Sequence, residues 1–340
     1  VELISYITRR ALLSLLVIFG VSVFTFLLTW VVPSNPAMRW VGPRAKPEQI
    51  AKARIELGLD KPVYIRYYKY ITNFIQGDWG VSIRTHQPVL KDIMTYLPAS
   101  LELIIFGMFI AVIIGVPLGI ISAAKNGTII DHLSRTFSIA GVALPTFWLG
   151  MILQLIFFKQ LGLLPLGERI DTLTMLIHPV KHLTGFYLID SLITGNFTAF
   201  KSALSHIILP AVTLSAYPLG LSVRMTRATM LEVLNEDYIR TARAHGLGEV
   251  KILCVYALRN AIGPVLTVLA LSFAYSLAGT FLIESVFSWP GLGNYAAKAI
   301  ISVDYPAIMG ITLLVALSYV ILNFIVDIAL AFLDPRIRIG

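Results

Sequence analysis

The stretch NEDYIRTARAHGLGEVKILCVYALRNAIGPV, residues 235–265, carries charge and turn signals between two strongly apolar windows of the chain. Asn235 is a good helix N-cap, Glu236 and Asp237 fall in the first turn, and Arg243 and His245 fall in the last. Acid early and base late complement the helix dipole, and Gly246 supplies the left-handed residue that closes a helix. A short helix over 236–245 is therefore predicted, broken at GLG, with a second helix starting near Glu249. Within that second helix Val250, Leu253, Cys254, Ala257, Leu258 and Ala261 recur at three- and four-residue steps, which predicts one apolar face. Small residues at the bend (Ala242, Ala244, Gly246, Gly248) make the pair compact. Two readings stand: a helix pair lying on the lipid surface, or a knob seated in a partner's groove.

Working outward, the rest of the chain is apolar. Its 340 residues are 57% hydrophobic and 14% charged, with a mean hydropathy of +0.79, whereas soluble domains carry about 25% charged residues. An integral membrane protein is predicted. The net charge of +8 is then an orientation signal toward membrane lipid, and nucleic acid is not an expected partner.

Six charge-poor windows are long enough to cross a bilayer: 11–32, 103–124, 136–158, 207–223, 261–283 and 307–326. The apolar run of the first is too long for a signal-peptide core, and VVPSNPA offers no small-x-small cleavage site, so a retained helix is expected. With both termini inside, 12 Lys and Arg residues fall on the cytoplasmic side and 15 outside, ten of the latter within 33–98. That loop exceeds the length over which the positive-inside rule operates; without it the bias is 12 to 5. Both termini, and the opening stretch, are therefore expected in the cytoplasm. The predicted organisation is an N-terminal segment and first helix (1–32), an extracellular loop domain (33–98), and an all-α core of five further helices (99–340) with a polar cytoplasmic loop at 224–260.

Pro117, Pro145, Pro210, Pro218 and Pro264 lie within or at the edge of these windows, and Gly115, Gly119, Gly141, Gly150, Gly220 and Gly279 recur in them. Proline bends a helix and glycine admits close backbone approach, so several per span favour a bundle with a path or a moving part over a static anchor. Such residues are also simply commoner in membrane helices. Glu102, Glu284 and Asp327 sit only at window ends, which argues against a proton- or sodium-coupled carrier. No GxxxxGK[ST] loop and no HExxH pair is present, and Ser222 has no histidine partner within a span. His178 and His182 (HPVKH) enclose Pro179 in an outer loop, where a pair without metal is expected; no metal or catalytic site is predicted. The lone Cys254 excludes an internal disulfide.

The opening stretch resembles the coupling loop of ABC-importer permeases, in the form carried by the oligopeptide/dipeptide/nickel family, with Gly246 at the loop's central glycine and Ala242 at the preceding alanine. Where many importers have I-x-L-P, this chain has YALRNAI, with Arg259 in the proline position; ALRNA is the peptide subfamily's form. LGLDKPVYIRYYKYI, GDWGVSI, LPASLEL, ESVFSWPGLGNYAAKAI, DYP and the terminal DPRIR are similar to the B-type permease of that family.

The resemblance implies a six-span permease in the cell membrane that pairs with a second, homologous permease, two cytoplasmic ATPase subunits carrying ATP and Mg, and an extracellular solute-binding protein. It implies no cofactor and no enzymatic activity in this chain. Glu236, Asp237, Tyr238, Arg240, Thr241, Ala242, Arg243, Ala244, His245, Gly246, Leu247 and Gly248 would couple to the ATPases, with Gly246 as the bend. Trp289, Pro290 and Gly291 would form an outer gate or merely a tight turn. The aromatic residues of 33–98 (Tyr64, Tyr67, Tyr68, Tyr70 and Trp79) would build a packed domain or interfacial belt, or else a cap that meets the binding protein. Peptide is the first expected substrate, with oligosaccharide and nickel complexes as alternatives. Phe147, Trp148, Tyr217 and Tyr275 could stack on sugars or face lipid, and substrate-binding residues are not assigned. From other classes, an ion-coupled carrier and a membrane scaffold remain.

Overall fold

A computed structural model describes residues 2–31, 36–42, 44–56 and 58–333. Among these, helices dominate. Helix α1 (Glu2–Val31) leads to three short helices, α2 (Pro36–Val41), α3 (Pro47–Glu56) and α4 (Val63–Ile75), and then to α5 (Val89–Ala124) and α6 (Ile129–Ala143). Helix α7 (Thr146–Leu153) runs on as a π-helical segment, Gln154–Gln160, before the short α8 (Thr172–Ile177) and α9 (Tyr187–Ile193). Then come α10 (Phe197–Leu234), α11 (Asp237–Ala244), α12 (Glu249–Lys251), a second π segment (Ile252–Ala257), α13 (Leu258–Gly279), α14 (Phe281–Val286), α15 (Leu292–Ser302) and α16 (Tyr305–Leu333). The terminal DPRIR motif lies outside the described residues.

Among the described residues five helices are long and apolar enough to span a bilayer, and six spans result if the bent pair α6–α7 counts as one. That pair covers the window expected over 136–158, and its bend falls at Pro145. The axis turns by 106° between Ala143 and Thr146. Leu144 is extended (φ −74°, ψ 133°), the conformation that a following proline imposes, and Pro145 has no N–H to continue the ladder. Elsewhere most helices extend beyond the expected windows, while the one expected over 261–283 starts earlier, at Leu258, and ends at Gly279. Helix α5 has 36 residues, about 54 Å, against a hydrocarbon core of about 30 Å. It therefore projects well beyond the membrane, and its first turns belong to the polar end of the bundle.

The centre of the fold is the α5–α10 pair, whose helices run parallel. A Cβ on Gly107, Gly115 or Gly119 would meet Leu214, Ser222 and Thr226 at 2.5, 2.9 and 2.5 Å, each glycine facing the residue 107 positions later. With Ala111, fully buried between them, these residues recur every four positions and form a smooth seam on one face of α5. Apolar side chains gain nothing by leaving lipid for each other, so close backbone packing across such a seam is what holds membrane helices together. Helix α6 closes on α10 likewise: a Cβ on Gly141 would lie 2.7 Å from the Ala216 carbonyl oxygen, and one on Gly220 2.5 Å from that of Ser138. Gly150 abuts Phe287 at 3.0 Å, whereas Gly279 has only Tyr275 of its own helix nearby, at 3.8 Å.

Candidate functional site

Helix α11 hangs at the end of the bundle where α5 and α10 finish. Asn235 caps the C-terminus of α10, its side chain donating to the Leu231 carbonyl. The N-cap of α11 is instead Glu236, and its side chain makes no capping bond; the expectation for Asn235 fails because α10 continues to Leu234 and uses that residue itself. At the other end the expected stop is present. Gly246 is left-handed (φ +74°), its N–H donates to Arg243 O at 2.9 Å, and that of Leu247 donates to Ala242 O at 3.2 Å, the paired bonds of a Schellman ending.

The segment after this turn is not a separate helix. It runs from Glu249 through the π segment into α13, so the polar stretch is continuous with a span. The wider π turn rotates the predicted stripe: Val250 and Cys254 are exposed, while Ile252 is fully buried together with Ala257 and Ala261. Ile239 and Ala242 of α11 meet these residues and Ile120, Ala123 and Met230 from the ends of α5 and α10 in one apolar cluster. The inner face of the knob is thus fixed to the two helices that share the glycine seam.

The outer face is polar and open. Glu236, Asp237, Tyr238, Arg240, Thr241, Arg243, Ala244, His245, Gly246 and Gly248 are exposed, Leu247 is half-buried, and Ala242 alone of the predicted coupling residues is buried. Arg243 reaches across the turn to Glu249 at 2.8 Å, Arg240 pairs with Asp237 at 3.3 Å, and the Asn260 amide donates to the Tyr238 hydroxyl at 2.8 Å. Exposed ion pairs of this kind contribute little stability, about 0–1 kcal/mol each; Arg243–Glu249 and Asn260–Tyr238 bridge the two arms of the knob, while Arg240–Asp237 lies within α11. Below the turn is a cavity of about 260 Å³ lined by Asn126, Leu231, Leu234, Arg243, Glu249 and Leu253, among others. Next to it, buried Asp131 accepts from Arg227 at 2.6 and 2.8 Å, from Ser122 at 2.6 Å and from the Gly127 N–H at 3.1 Å, tying α5, α6 and α10 into one block.

At the opposite end, Trp289 is buried and its indole N–H donates to Ala99 O at 2.9 Å. Glu284, fully buried, accepts from Ser100 at 2.5 Å and from the Asn294 N–H at 2.8 Å. Ser100 in turn accepts from the Leu292 N–H at 2.8 Å. A Cβ on Gly291 would fall 2.4 Å from the Glu284 carboxyl carbon, so any side chain there must displace that buried, hydrogen-bonded carboxylate, and Pro290 remains exposed. Trp289 and Gly291 are thus locked onto α5. Also at this end, Glu102 accepts from buried Arg169 (3.0 and 2.5 Å) and from the Leu188 N–H, while the Arg169 guanidinium stacks 3.8 Å from the Tyr187 ring.

The aromatic set of the preceding loop divides in two. Tyr67 bonds Ser22 of α1 at 2.7 Å and Phe74 stacks on Trp79 at 4.3 Å. Tyr64 and Tyr68, in contrast, are 72% and 73% exposed. Packing therefore accounts for Tyr67 and Trp79 but not for these two. His178 follows α8 as its C-cap, and the His182 ring lies 5.5 Å from that of Tyr187.

None of these three buried carboxylate clusters was legible in the sequence. Glu102 and Glu284 read only as charges at window ends, and Asp131 drew no reading at all, because their partners lie 67, 184 and 96 positions away.

The comparisons agree with this architecture. Residues 115–339 match the model of the family described as binding-protein-dependent transport system inner membrane component, and residues 3–104 match that of its N-terminal region. The chain is 43% identical to the probable D,D-dipeptide transport system permease protein DdpB of Escherichia coli, covering 99% of this chain and 98% of that protein. It is 40% identical to the dipeptide transport system permease protein DppB of Alkalihalophilus pseudofirmus, over 99% and 100% of the two chains. To the di/tripeptide transport system permease protein DppB of Pseudomonas aeruginosa it is 43% identical, over 99% of each.

Proposed function

The chain belongs to the family of binding-protein-dependent transport system inner membrane components, and from that premise we propose that it is one of two permease subunits of an ATP-driven importer of di- and oligopeptides. It is a multi-pass protein of the inner membrane. Its termini and the knob face the cytoplasm in this reading, and residues 33–98 face outward. A second permease completes the passage, two ATPase subunits bind ATP and Mg below, and a solute-binding protein delivers substrate from above.

The observation that carries the reading is the knob. Its apolar face is bonded to the ends of α5 and α10, and its polar face is uncovered, as a part that receives force from a partner and hands it to the spans requires. Whole-length identity to permeases named for dipeptides supports the substrate class. Trp289, Pro290 and Gly291, anchored to α5 through Trp289, act as an outer gate in the same scheme: movement of α5 at its cytoplasmic end displaces its outer end and the turn fastened there.

Purification of the tagged chain in mild detergent, with identification of what accompanies it, tests the assembly. Recovery of a second permease, ATPases and a solute-binding protein is expected. Reconstituted into proteoliposomes, that assembly should accumulate dipeptides only when ATP is supplied on the knob side. Uptake driven by an ion gradient in the isolated chain would refute the proposal.

A further inference from the structure

Helix α10 is packed on by α5, α6, α7 and α13, and 67% of its apolar window is buried. One strip stays uncovered. Tyr217, Leu221, Arg224 and Ala228 follow one another at four-, three- and four-residue steps, which places them on one face. Arg224 and Ala228 are exposed, and Tyr217 and Leu221 half-buried. Beside this strip runs α13, antiparallel to α10: the Tyr217 ring meets that of Tyr275 at 5.8 Å, and Tyr275 and Leu271 are 66% and 43% exposed.

Arg224 is the unusual member. Three residues further on, Arg227 is neutralised by Asp131 and bonded to Asn126. Arg224 has no ion pair or hydrogen bond among the described residues. It lies 23 residues after Lys201 on the same helix, about 35 Å along the axis, and so at the cytoplasmic margin of the hydrocarbon core. A cation inside a spanning helix faces a bundle interior or a water-filled cavity, whereas one at its margin can also reach the interface; the tyrosines that line the same strip on the membrane side favour the cavity.

We propose that this strip of α10, with Leu271 and Tyr275 of α13, forms a wall of the substrate passage, and that Arg224 receives the terminal carboxylate of a peptide near the cytoplasmic mouth. The proposal rests on the peptide reading above. The guanidinium fork matches a carboxylate in two parallel hydrogen bonds, and the tyrosine rings present an apolar face with a hydroxyl edge to a peptide of any side-chain character. A single cation, at the end of the wall rather than its middle, attracts the substrate without trapping it; a conducting path needs sites that are weak enough to leave.

The test uses the complete transporter in proteoliposomes on a Cys254→Ala background. Leu221→Cys and Leu271→Cys should react with a membrane-impermeant methanethiosulfonate and be protected by transported dipeptide. Leu16→Cys, on the exposed face of α1, should not react. If 221 and 271 are as inert as 16, the wall assignment is overturned. Arg224→Gln should lower dipeptide uptake about tenfold or more, with Arg224→Lys, which keeps the charge but loses the two-pronged fork, falling between Gln and the parent. Equal loss in the Gln and Lys variants, or full uptake by Arg224→Gln, overturns the carboxylate role. Labelling of Leu221→Cys and Leu271→Cys, together with no peptide uptake by the wild-type transporter, refutes the substrate reading and the carboxylate role with it, while supporting the wall.

Discussion

Gly119→Ala adds a single methyl group at the tightest part of the α5–α10 seam. The new Cβ would lie 2.5 Å from the Thr226 Cβ and 2.9 Å from the Val223 carbonyl oxygen, where ordinary contact begins at 3.4 Å. One obstacle is a Cβ and the other is backbone, so no rotamer change relieves them; α10 must withdraw by nearly an ångström, loosening the contacts at Gly115 and Gly107. Overpacking of this kind costs about 1–3 kcal/mol, and the better helix propensity of alanine returns about 0.5–1 kcal/mol. A net loss of about 1–2 kcal/mol lowers the folded-to-unfolded ratio roughly 5- to 30-fold. Unfolding of the purified protein in mixed micelles by titrated SDS reads this directly. Adding Thr226→Gly, which removes two of the three nearest atoms, should recover part of the loss. Gly20→Ala in α1, with nothing within 4 Å of the added Cβ, should be neutral or stabilising. If Gly119→Ala is as stable as the parent, the seam does not bear the packing assigned to it.

Four further outcomes are expected. Arg169→Met leaves Glu102 buried without its cation and should destabilise by about 3–5 kcal/mol, while the double change with Glu102→Met should restore most of it; equal stability of the single and double variants would refute this. Burial pushes the Asp190 carboxyl up, but bonds from the Thr184 side chain and from the N–H groups of Thr184, Leu183 and Gly185 outweigh it and hold the group below its ordinary value of 3.8. Its stabilisation is therefore complete above that value and lost as pH falls through the lower folded value, so amide exchange at 183–185 should accelerate only in strong acid, and Asp190→Asn should abolish that dependence. Gly246→Asp should leave the chain inserted but release the ATPases and end uptake, since it sets a carboxylate on the exposed left-handed turn (φ +74°), a conformation that aspartate tolerates; Gly248→Ala, at φ −64° in open space, should do neither. Trp289→Phe keeps the buried ring but strands the Ala99 carbonyl, and should slow uptake more than ATP hydrolysis; unchanged uptake would count against a gate at 289–291.

Five of the six spans, the fold class and the helix–Gly246 turn were legible because each rests on local signals: apolar length, a dipole-matched charge order and a left-handed glycine. Pro145 was equally visible, but how far a helix turns at a proline depends on what the second arm packs against, here Phe287 at Gly150. The stripe after Glu249 held at Leu253, Ala257, Leu258 and Ala261 but missed Ile252 in place of Val250 and Cys254, because a π turn changes the helical repeat and has no local signature. The glycines of α5 stood out individually, whereas their meaning required knowing that α10, 107 positions later, lies beside them in parallel. Arg224 is the sharpest case: in sequence it merely closes an apolar window, and its lack of a partner emerges only once Asp131 is seen to be taken by Arg227.

The parallel seam also limits how the importer moves. Matching a four-residue repeat to a four-residue repeat makes the two rods interlock like a rack, and the next matching register is about 6 Å away. Any smaller slip drives Leu214, Ser222 or Thr226 into the backbone of α5. A displacement applied at the knob is thus not absorbed as shear between these two helices. In the proposed scheme it reaches the outer turn nearly undiminished, and the compliance needed to open and shut then comes from the joints that lack the interlock: the elbow at Pro145 and the π turn above Glu249.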